Sequence, residues 1–296
     1  MLKKFISILG SIFFILFSTS CNEKATTVAE NEKEVAQAEE TKNAESELTA
    51  KEVYQKMVEA SSKVKSLGVK LDVKQDLTSQ ADGSAIKTET KSDSKIIQEP
   101  LSLYQVVEVQ YNDPAIGEQT GKIEQYLTDE GFFMYDTVRD VWGKYNTDYA
   151  EVEKQLNLQQ GTNQLDSLKN LESFVDHFAF ENEGSKYRLT LSGNDNKMNE
   201  LVKKSLPSTW PELEQAMKSM TIHDVEYEIM IDKKTFLPSV MNVNMNIDII
   251  TNGNTILLEQ NINSNYYDYN KIDEIVLPKE ALDQSTEINI QDPSSI

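Results

Sequence analysis

Hydrophobic and polar positions along this chain change period several times, and each change predicts an element. From Thr49, "LTAKEVYQKMVEASSKVKSL" places Val53, Met57, Ala60 and Val64 three or four residues apart, the spacing of one helix face. Thr49 followed three residues later by Glu52 is a capping-box start. After Gly68 the period falls to two: Val69, Leu71 and Val73 alternate with Lys70, Asp72 and Lys74, as in a half-buried strand. "SAIKTETKSDSKIIQ", beyond the "ADG" turn, is its hairpin partner. "LSLYQVVEVQY", "GKIEQYLTDEGFFMYDTV" and "VWGKY" continue the strands, with "DEG" as a turn.

Helical periods then interrupt the sheet. "TDYAEVEKQLNL" and "NQLDSLKNLESFVDHF" follow, and Leu165, Leu168, Leu171 and Val175 form an apolar stripe. "FAFENEGSKYRLTLSG" returns to strands around "NEGS", and two more helices are predicted over "NDNKMNELVKKSL" and "WPELEQAMKSM". The clearest alternation comes last. Val225, Tyr227, Ile229 and Ile231 alternate with polar residues, as do Met241, Val243, Met245, Ile247 and Ile249. "NTILLEQNINSNYYDYN" and "EIVLP" complete the predicted strands. An antiparallel sheet with one apolar face needs a cover. The expected fold is therefore α+β: a large curved antiparallel sheet, an open or half barrel, with a helical lid packed in its concave face.

Ahead of this region stands "MLKKFISILGSIFFILFSTSC", with two lysines, an apolar run from Phe5 to Phe17 and small residues up to Cys21. This is the layout of a secretory signal, and the run is too short for a membrane span, which needs roughly 20 apolar residues. Cys21 is the only cysteine in the chain. Its position after Ser20 resembles the bacterial lipobox, in which the cysteine becomes the lipidated first residue of the mature protein. Ser18 stands where that motif usually has leucine. Thioether lipidation removes an otherwise reactive thiol and supplies the two acyl chains that stable anchoring requires. Residues 1–20 read as the lipoprotein signal peptide and 21–46, rich in Glu, Ala and Lys, as a disordered acidic tether. Residues 47–296 read as a single domain.

The net charge is −20, which disfavours nucleic acid and anionic headgroups as electrostatic partners. Chemistry is hard to place on the sequence. His177 and His223 are far apart, and zinc-ligand spacing, phosphate-binding glycine loops and a serine elbow are all missing. No catalytic residue, metal ligand or cofactor is expected, and the protein is not expected to be an enzyme. Met217, Met220, Met230, Met241 and Met245 suit either a packed core or an adaptable lipid pocket.

"YLTDEGFFMYDTVRDVWGKY", "YEIMIDKKTFLPSVMNVNMNIDI" and "INSNYYDYNKIDEIVLPKEA" resemble bacterial envelope lipoproteins of unassigned function, similar to the LolA, LolB and LppX lipid and lipoprotein carriers. The likeness is one of pattern and order from about Thr49 onward. It implies an unclosed barrel with a helical lid that carries or senses an apolar ligand. Leu165, Leu168, Leu171, Val225, Tyr227, Ile229, Met241, Val243, Met245 and Ile247 are the expected lining of that site. The expected function is a lipoprotein anchored through Cys21 on the extracytoplasmic side of the bacterial membrane, binding a lipid or acyl chain. The alternative is a structural or regulatory envelope lipoprotein with a filled core, acting through contacts with a protein whose identity the sequence leaves open.

Overall fold

The computed structural model describes residues 48–145, 166–194, 196–205, 220–251 and 253–288. Helix α1 (Ala50–Ser61) begins as expected. The Thr49 backbone N–H donates to Glu52 Oε2 at 2.8 Å, and the Glu52 N–H donates back to Thr49 Oγ1 at 3.3 Å. Its buried side is Val53, Tyr54, Met57 and Ser61; Val64 lies beyond its end and is buried separately.

Twelve strands form one sheet. The N-terminal strands β1 (Ser66–Ser79), β2 (Ala85–Gln98), β3 (Leu101–Asp113), β4 (Gly117–Thr128), β5 (Gly131–Asp136) and β6 (Val141–Tyr145) meander outward in one direction. The C-terminal strands β7 (Ala179–Glu183), β8 (Lys186–Gly193), β9 (Met220–Asp232), β10 (Pro238–Thr251) and β11 (Asn254–Tyr267) meander back toward β1. All of these pairs are antiparallel. One long-range seam, β1 against β11, joins the two halves from Gly68↔Tyr267 to Ser79↔Ile256. A last short strand, β12 (Thr286–Ile288), runs parallel to β6, so β12 and β7 are the two edges and the sheet stays open.

The period-two alternation sorts each strand into an inner and an outer face. Leu67, Val69, Val73 and Leu77 of β1 share the inner face with Ile256, Leu258 and Ile262 of β11 through the seam register. They belong to one continuous core with α1, with the 3-10 helix (Asp166–His177) and with α2 (Asn196–Ser205). This is the large open sheet with a few short helices that the alternation predicts. The stripe before β7 has a different geometry from an α-helix. Leu168, Leu171 and Phe174 are three residues apart and all buried, so they stack on one side of a helix with three residues per turn.

The C-terminal region departs from expectation. "EIVLP" is not a strand. Residues 271–278 run as irregular chain, and Ile275 and Leu277 pack with Tyr126, Phe133, Trp142 and Ala281 into a second, smaller core. Tyr104, Tyr126 and Phe133 occupy the row opposite to the inner-face Leu103, Leu127 and Phe132, so this second core lies on the outer face. The chain then makes α3 (Lys279–Gln284) and the edge strand β12. Apolar residues on both faces of β4 and β5 demand cover on both sides, and the tail provides the outer one. Leu165, Cys21, the leader, the tether and the helices expected over "TDYAEVEKQLNL" and "WPELEQAMKSM" lie outside the described residues.

Candidate functional site

The residues expected to line a ligand site do come together. Met241↔Ile229, Val243↔Tyr227 and Met245↔Val225 are direct cross-strand pairs between β10 and β9, and Ile247 follows opposite Ile222 after a register shift. All face inward. Val225 and Ile229 are 0 % exposed, Tyr227 is 9 % exposed, and Met245 is half-buried at the margin of the same core. Leu168 and Leu171 enter this core from the 3-10 helix. That helix is tied to α1: the Tyr54 hydroxyl donates to the Leu168 carbonyl at 2.5 Å, and the Tyr54 ring stacks on Phe178 with centroids 5.9 Å apart. Burial, with the Glu172 carboxylate adding to it, pushes the Tyr54 hydroxyl well above its ordinary range.

Across the seam the inner face changes character. Between Ile86 and Ile96 the inward positions of β2 are Thr88, Thr90, Ser92 and Ser94. Thr90, Ser92 and Ser94 are buried. On β3 and β4, Gln105 and Gln125 extend the polar row beside Ser94. Gln75 of β1 sits directly opposite Gln260 of β11, with Ser264 further along the same strand; all three are buried. The Gln260 Nε2 and Ser264 Oγ atoms make no hydrogen bond. Ser264 stands near enough to the Tyr266 hydroxyl to ease its ionisation slightly against the dominant effect of burial, without forming a bond of good geometry. The inner face is thus hydrocarbon over β8–β10, hydroxyl over β2, and at the seam mainly hydrocarbon interrupted by Gln75, Gln260 and Ser264. None of the inward positions of β1, β2, β8, β9, β10 and β11 carries a charge.

Among the described residues the charged pairs line the outer face, while Asp113 of β3 is buried. On β1–β4, Lys70 pairs with Asp93 at 3.7 Å, Lys87 with Asp76 at 2.8 Å and Lys122 with Glu108 at 2.7 Å. A hollow of about 300 Å³ opens there among Lys70, Asp72, Lys91, Asp93, Glu108 and Asn265. On β9–β11 the outer face is a ladder of amides. Asn261 donates to Asn244, Asn263 to Asn242, and Asn242 to Glu228 at 2.8 Å. These side chains bond one another and form a solvated surface.

His223 Nε2 lies 3.0 Å from Asp248 Oδ2 and is half-exposed; His177 ends the 3-10 helix on the surface. Among the described residues, no three His, Cys, Asp or Glu side chains are grouped to hold a metal ion. No described helix is long and apolar enough to cross a membrane.

Three features escaped the sequence reading. Tyr54 and Phe174 belong to the buried helix faces, and the latter was legible in the strict three-residue repeat from Leu165 to Phe174. The hydroxyl row was legible too: "IKTETKSDSKI" has no apolar residue at any inward position between its two terminal isoleucines.

The fold and this face define a class: an open, mostly antiparallel sheet, of twelve strands among the described residues, with short helices packed on its inner side. Residues 49–286 match the family of unknown function DUF6612, and the chain belongs to that family. A comparison with curated proteins finds no match. Among solved structures, the chain is similar to a DUF1329 family protein from Desulfovibrio piger at 10% identity, covering 78% of this chain and 95% of that one, with a TM-score of 0.24. It is also similar to a β-barrel-like protein of the domain of unknown function DUF1849 from Brucella abortus, at 9% identity, 69% and 99% coverage and a TM-score of 0.20. Neither likeness bears on what this chain binds.

Proposed function

We propose that this protein is an extracytoplasmic lipoprotein, anchored to the bacterial membrane through a lipid on Cys21, that takes an apolar or amphiphilic ligand between its sheet and its helical layer. One observation carries the reading: α1 and the 3-10 helix cover the inner face as a unit bonded to itself. The buried Tyr54 hydroxyl bonds the other helix, while Leu168, Leu171, Val53 and Met57 meet the sheet through apolar packing. Such packing is non-directional, so an acyl chain replaces it with little loss. The protein catalyses nothing in this role, and its charge of −20 supports a part without nucleic acid.

A second reading rests on the 0 % exposure of Val225, Ile229 and Ile231. In this arrangement the interior is filled by the protein's own side chains. If it never opens, the protein is a structural or regulatory lipoprotein that works through protein contacts.

Native mass spectrometry of protein isolated from its own host membrane separates the two. Ligand binding predicts a released mass of lipid beyond the one attached at Cys21, and its recovery after the helical layer is loosened by Leu168→Ala. A bare polypeptide, together with failure to take up a fluorescent acyl probe, leaves the structural role.

A further inference from the structure

Resting on that reading, we propose that Gln260 is the headgroup subsite for an uncharged carbonyl, and that the ligand is a neutral acyl ester of the diacylglycerol class. The argument starts from cost. A buried donor without a partner is destabilising, because its bond to water has been given up for nothing. Gln260 is 6 % exposed and its Nε2 has no partner. Its amide is not demanded by the sheet, whose ladder is made by the backbone. Leucine at position 260 would fill the volume and remove the penalty. A protein selected only to pack this core has no use for the amide.

The surroundings set the chemistry of the acceptor. Gln260 lies opposite Gln75 on one side and Met245 on the other. It therefore marks a boundary where the inner face passes from amide to hydrocarbon. An amphiphile laid across that boundary places its chains over Val225, Val243 and Ile247 and its polar end toward Thr90 and Ser92. Since no inward position on these strands is charged, a phosphate or a free carboxylate there would be buried without a counter-charge, which is prohibitive. An ester carbonyl needs only the N–H donor that Gln260 offers.

Full-length protein loaded with the environment-sensitive dye N-phenyl-naphthylamine tests this by displacement with dioleoylglycerol, oleate and dioleoyl phosphatidate. Dioleoylglycerol is expected to displace the dye most strongly. Gln260→Leu should weaken that displacement about ten-fold, the worth of one hydrogen bond to a neutral acceptor. It should leave dye binding unchanged and hold or raise the melting temperature. A rise in stability together with a loss of ester preference is the signature that a merely structural glutamine does not give. Equal displacement of the dye from wild type and Gln260→Leu, or a preference for phosphatidate or oleate, overturns the subsite while the dye still reports a ligand site. If neither dye nor any lipid binds, the ligand-binding reading fails and the subsite with it.

Discussion

Tyr54 shows how much one side chain decides at the residue scale. Its ring stacks on Phe178, its hydroxyl holds the Leu168 carbonyl, and it is buried. Tyr54→Phe keeps the ring and deletes the bond, leaving a buried carbonyl without its donor. The expected cost is about 1–3 kcal/mol, read as a shift of the urea midpoint at unchanged slope. The substitution also unties α1 from the 3-10 helix, so amide exchange around Leu168 should quicken more than in β9 or β10; equal acceleration everywhere would show that the bond is not a specific tie. In the sequence this residue hid behind its neighbour, because Val53 alone satisfied the expected stripe. A tyrosine at a helix margin has two readings, and only the partner distinguishes them. The turn "DKKTFLP" was easier. Asp232 Oδ1 accepts from the Lys234 and Thr235 backbone N–H groups at 3.0 and 2.9 Å, and Phe236 closes the turn at φ 56°, which favours few residues beyond glycine and asparagine. The strand, turn and leucine-proline order was visible; the left-handed phenylalanine was not.

Strands were the legible elements because period two survives burial on one face. β9, β10 and β11 follow their alternation to within two register shifts in the β9–β10 pair. The tail was illegible for the opposite reason. Ile275 and Leu277 are apolar at alternate positions, which is also what a strand would show, yet they cover aromatic residues on the outer face. Nothing local says that β4 and β5 are apolar on both sides and need that cover. Gly143 is the lock of this tail. A Cβ there would stand 2.0 Å from Ile288 Cδ1, so the Ile288 side chain would have to move for β12 to keep its place beside β6. Gly143→Ala should displace β12 and leave the main sheet intact. The check is limited proteolysis: the variant loses residues near its C-terminus sooner than wild type, with the far-ultraviolet circular dichroism almost unchanged. Cleavage at the same rate in both proteins would mean that Ile288 finds another rotamer and the strand stays.

Taken whole, the molecule withdraws several tyrosine hydroxyls from water, and that predicts its behaviour in alkali. Burial is the leading cause that pushes the hydroxyls of Tyr54, Tyr126, Tyr266, Tyr267 and Tyr269 above their ordinary range. Nearby carboxylates add to it, Glu172 for Tyr54, Glu124 for Tyr126 and Asp93 for Tyr267. The sign follows from proton counting. Above about pH 10 the unfolded chain loses tyrosine protons that the folded chain retains, so the folded state binds more protons and stability falls as pH rises. Below that pH both states hold them and these residues contribute no slope. The urea midpoint should therefore be insensitive to tyrosine up to about pH 10 and drop steadily beyond it. Among the chain's twelve tyrosines, these five should ionise behind the others, and the hydroxyls of Tyr54 and Tyr266, buried in the main core, together with loss of the sheet signal. Ionisation of all twelve at about pH 10 with the sheet intact would show that water reaches Tyr54 and Tyr266 in the native state. The inner face would then be open already, without displacement of the helical layer.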